Sequence, residues 1–137
     1  MSYRQNWTTE EIFLAADLLW ANDKYLVSRR DLRVLQLSQL LRAQHPQVVD
    51  PGFRSPSSVA RKVQNIFDKL PEQTGKKKSH GSKLETEVID SFLKDERQAK
   101  SRAAAILEKF QEIAKGVLSE ELVRIEAEQF GVEGSRS

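Results

Sequence analysis

Two histidines, no cysteine and a run of three lysines bound the chemistry open to this chain. His45 precedes Pro46 in a loop pattern, and His80 lies among Lys, Ser and Gly. Neither has a second histidine or a cysteine at ligand spacing, so both read as surface residues rather than metal ligands or bases. The carboxylates read as structural too. Glu10 with Glu11, and Glu120 with Glu121, follow helix-start residues, where the macrodipole favours acids. GKKKS at 75–79 has the end of a phosphate loop but not its upstream glycine or preceding strand. The expectation is a protein that is not an enzyme and takes no metal or cofactor.

Nucleic-acid chemistry is the better match. Placed on a helix over residues 57–70, Ser57, Arg61, Gln64, Asn65 and Asp68 share one side, with Ser58, Lys62 and Lys69 at its edge. Val59, Val63, Ile66, Phe67 and Leu70 occupy an opposing arc of about 100°. Arginine pairs with guanine, and asparagine or glutamine with adenine, through two parallel hydrogen bonds. Lys76, Lys77 and Lys78 are suited to phosphates, which add affinity without reading sequence. Arg54 and Lys83 extend the same basic stripe.

The charge distribution agrees. Residues 1–53 are neutral, 54–83 carry +6 and 84–137 carry −4, within a total of +2. A basic middle between neutral and acidic flanks marks a local anion-binding surface. At 137 residues, 39% apolar and 31% charged, the composition fits a soluble, helical chain. No stretch approaches the ~20 apolar residues of a membrane span. The N-terminus MSYRQNWTTEE lacks a secretion pattern, so the expected location is the cytoplasm.

The elements that must position these residues are helices. Thr8 or Thr9 can cap a first helix to about Ala21, apolar nearly all round and therefore central. Asp31 can cap a second, from Leu32 to Ala43. Ser55 or Ser57 can cap a third, with Pro56 in its first turn and Pro71 beyond its end. A polar loop covers 72–82. Helical pattern resumes near Lys83, with a break around Asp95, and Gly116 reads as a stop. Residues 119–130 form a last amphipathic helix and 131–137 a disordered tail. The predicted class is all-α: a three-helix, helix-turn-helix or Myb-like unit over 1–71, with a helical extension over 83–130.

NWTTEEIFLAADLLW, LSQLLR, FRSPSSVARKVQNIF and GSKLETEVIDSFLKD follow one another in the order seen in certain bacterial HNH restriction endonucleases. Over residues 6–107 the chain resembles the N-terminal domain of those proteins, departing at Ile66, which separates Asn65 from Phe67. More loosely, residues 6–70 look like a Myb/SANT unit without its regular tryptophan spacing. The resemblance implies a DNA-binding accessory domain. It implies no nuclease activity, because the HNH half has no counterpart here. Such a domain alone would be a bacterial or phage regulator, or the recognition part of a restriction-type system, on double-stranded DNA. The alternative is a protein-interaction module, an inhibitor or adaptor, using residues 99–130 for a partner or a second copy.

Overall fold

The computed structural model describes residues 6–72 and 83–136, with side chains described through Leu118. Four of the helices start where the local chemistry satisfies their first N–H groups. Thr8 opens α1 (Thr9–Ala21) with a reciprocal capping box: its hydroxyl accepts from the Glu11 N–H at 3.1 Å, and the Glu11 carboxylate accepts from the Thr8 N–H at 2.9 Å. Asp31 caps α2 (Leu32–Ala43) by accepting from the Arg33 N–H at 2.8 Å. Ser55 caps α3 (Pro56–Asp68) by accepting from the Ser58 N–H at 3.2 Å, with Pro56 at the first position. After α4 (Lys83–Lys94), Asp95 interrupts the helix and accepts from the Gln98 N–H at 3.1 Å, opening α5 (Glu96–Arg136).

The fold is all-α, with five helices and no strand among the described residues. Helix α1 lies at the centre and packs against each of the other four. One apolar cluster draws on every helix: Phe13 and Leu19 from α1, Val34 and Leu41 from α2, Val59 and Ile66 from α3, Phe92 from α4, Phe110 from α5. Phe92 stacks on Trp20 at 4.6 Å and lies 5.9 Å from Phe13. The first three helices and the last two therefore share a single core. Ala99, Ile106 and Phe110 belong to that core as well.

The reading of the C-terminal half is corrected. Helix α5 runs unbroken through Gly116 for 41 residues, so the chain neither stops there nor starts a new helix at Ser119, and 131–136 are helical rather than a tail. Among the described residues no glycine takes a positive φ, and a Cβ at Gly116 would meet nothing within 4 Å. Glycine costs about 1 kcal/mol relative to alanine inside a helix, which weakens it without ending it. The link between α2 and α3 falls where the sequence places it. It spans residues 44–55, far longer than the three- or four-residue turn of a helix-turn-helix.

That link is held by Arg54. Its φ is 48°, a left-handed conformation costing about 1–3 kcal/mol in a non-glycine residue unless surrounding contacts enforce it. Here they do. The Arg54 carbonyl accepts from the buried Ser38 hydroxyl at 2.7 Å, and its side chain is anchored in the core.

Candidate nucleic-acid interface

The apolar arc of α3 faces inward, with Val59, Val63, Ile66 and Leu70 at most 2% exposed and Phe67 half-buried. The opposite face is in solvent. Ser57, Arg61, Gln64 and Asp68 are exposed, and Asn65 and Ser58 are half-buried. The Asn65 carbonyl accepts from the Lys69 ammonium at 3.5 Å, and the Ser58 N–H is used by the helix cap. Lys83 is exposed at the start of α4. Lys76, Lys77, Lys78 and His80 lie outside the described residues.

Three expected DNA contacts are instead committed inside the protein. Arg54 is 3% exposed. Its guanidinium donates to both Glu11 oxygens, at 3.1 and 2.9 Å, and to the Asn6 carbonyl at 3.1 Å. It also lies 4.6 Å from the Trp7 ring centre and 4.5 Å from that of Phe53. Burial pushes the Glu11 carboxyl up, but hydrogen bonds from Arg54, the Thr8 N–H and His45, with the Arg54 charge, hold it below its ordinary value. A buried arginine in a bidentate pair cannot reach a phosphate without leaving a charge unpaired.

Lys62 on α3 and Lys69, the residue that caps its end, both ion-pair with Glu85 of α4, Lys69 at 2.6 Å. Glu85 is 2% exposed. Burial raises its carboxyl, and the two lysines more than offset this, so it too stays below the ordinary range. One carboxylate thereby offsets half of the lysines' charge and holds both ammonium groups against α4.

His45 is a further correction. It is half-buried, not at the surface; its Nε2 lies 3.2 Å from Glu11 Oε2, and its ring meets Phe53 edge-on at 5.0 Å.

The sequence reading missed the two buried carboxylates and a second source of exposed arginine. Glu85 was discoverable, since it is in phase with Val88, Ile89 and Phe92 on the apolar face of α4. Arg29 and Arg30, in the loop between α1 and α2, are exposed. With Arg61 they have no ion-pair partner among the described residues.

Among the described residues no three His, Asp or Glu side chains come together as metal ligands, and no helix is long and apolar enough to cross a membrane. Compared with models of known families, with curated proteins and with solved structures, the chain matches none.

Proposed function

We propose that this chain is a non-enzymatic protein that binds duplex DNA, laying the solvent face of α3 in the major groove. The observation that carries the reading is that face itself. Arg61 and Gln64 project from a helix whose other side packs into the core, and Arg61 has no ion-pair partner among the described residues. Those side chains, with Asn65 beside them, suit the edges of guanine and adenine. Exposed Arg29, Arg30 and Lys83 supply positive charge for phosphates. The role that fits is a bacterial or phage regulator, or the recognition part of a restriction-type system, acting in the cytoplasm. Binding of labelled duplex across a salt series tests it. Neutralising about three to five phosphates gives a slope of log K on log salt of about −3 to −5. Binding absent at low salt, or indifferent to salt, would remove the reading.

A second reading has its own support. Leu107, Ile113 and Leu118 are 37, 45 and 58% exposed along α5, which suits a protein partner or a second copy. A strictly monomeric mass at high concentration would count against a second copy.

A further inference from the structure

The α1–α2 loop brings an arginine to the reading face from a distant part of the chain. Arg29 and Arg61 line one shallow cavity of about 350 Å³, together with Ser57 and Gln64. Leu26 and Ala60 supply apolar surface to it. Two like charges share this concavity with no counter-charge from the described residues. Neighbouring arginines are treated differently: Arg33 is paired with Asp31 at 2.9 Å, and Arg54 with Glu11. Arg29 and Arg61, like Arg30, are left without an ion-pair partner among the described residues.

The loop that carries Arg29 is also tied down. The Lys24 N–H donates to the Leu19 carbonyl at 2.8 Å. The Asn22 side chain donates to the Tyr25 carbonyl at 2.9 Å and accepts from Arg33 at 2.8 Å. The Asp31 N–H donates to the Ser28 carbonyl at 3.0 Å. A guanidinium on an ordered loop has less freedom to lose on binding than one on a free arm. Its planar fork matches two oxygens of a phosphodiester.

We infer that Arg29 holds a backbone phosphate of duplex DNA beside the base that Arg61 reads, and so adds affinity that does not depend on sequence. This rests on the DNA-binding reading above. A phosphate contact carries no sequence information, whereas a base contact reads it.

The test compares the full chain with Arg29→Ala, Arg29→Lys and Arg61→Ala, on a preferred duplex and an unrelated one, over a salt series. Circular dichroism melting confirms that each is folded. Arg29→Ala is expected to weaken both duplexes by the same factor and to reduce the salt slope by about one. Arg29→Lys keeps the slope, because the charge remains. Arg61→Ala reduces the preference between duplexes. If the parent binds DNA and Arg29→Ala matches it in affinity and slope, or changes sequence preference instead, the Arg29 assignment is overturned while DNA binding stands. If the parent binds neither duplex at low salt, DNA binding itself falls, and this assignment with it.

Discussion

Arg54 and Glu11, 43 residues apart in sequence, meet through two hydrogen bonds of 3.1 and 2.9 Å with both side chains almost wholly buried. The pair joins the start of α1 to the start of α3, and it holds Arg54 in a left-handed backbone conformation. Removing one partner leaves the other charge buried and unpaired. Arg54→Ala is therefore expected to lower stability by about 3–5 kcal/mol in urea denaturation. Arg54→Lys should also destabilise, because a lysine cannot reproduce the two-pronged contact. Under conditions where either variant is folded, the salt dependence of DNA binding should match the parent.

Acid should unfold the protein through the same contacts. Glu11 and Glu85 are both held below the ordinary carboxyl value of 4.5 when folded. The unfolded chain therefore takes up protons first as pH falls. Their contribution is complete above about pH 5 and is lost as pH drops through 4.5 and the folded values beneath it. Glu85→Gln should make the acid side of the stability profile shallower. An unchanged acid profile in that variant would show that Glu85 is not held low.

Glu85 has a second consequence. Glu85→Gln leaves Lys62 and Lys69 without their counter-charge and should cost about 1–3 kcal/mol of stability. The long lysine stems can turn their heads to water, which keeps the cost toward the lower end. Freed lysines add positive charge beside the solvent face of α3. DNA binding at low salt should tighten, and the salt slope should steepen by up to about two. Affinity and slope equal to the parent would mean the lysines stay out of reach.

Helix α5 should divide energetically. Phe110 is 5% exposed and part of the common core, so Phe110→Ala should cost about 3–5 kcal/mol. Ile113 is 45% exposed one turn further on, and Ile113→Ala should stay within about 0.5 kcal/mol. Thermal or urea unfolding of the two variants checks this directly.

Much of the fold was legible because its signals are local. Thr8, Asp31 and Ser55 are capping residues at helix starts, and the break at Asp95 is a residue that can accept from the next turn. The inward arc of α3 follows from helical period alone. The site was less legible, because whether a cation is available depends on what folds beside it. Arg54, Lys62 and Lys69 look identical in sequence to Arg61, yet each meets a buried carboxylate from a distant segment. Arg29 escaped notice for the converse reason. Its approach to α3 is tertiary, and nothing in the local run SRRD indicates it. Gly116 misled because glycine is a frequent helix end, whereas here it takes an ordinary helical position.

The central claim is that α3 reads DNA through its solvent face. The most direct measurement is the affinity of Arg61→Ala and Gln64→Ala for a preferred duplex, against the parent, by fluorescence anisotropy at fixed salt. Both residues are exposed, so neither change should shift the melting temperature appreciably. Each variant is expected to lose about 1–3 kcal/mol on the preferred site and much of the parent's discrimination against other sequences. Folded variants that bind every duplex as the parent does would contradict the claim, and would show that α3 is not the helix in the groove.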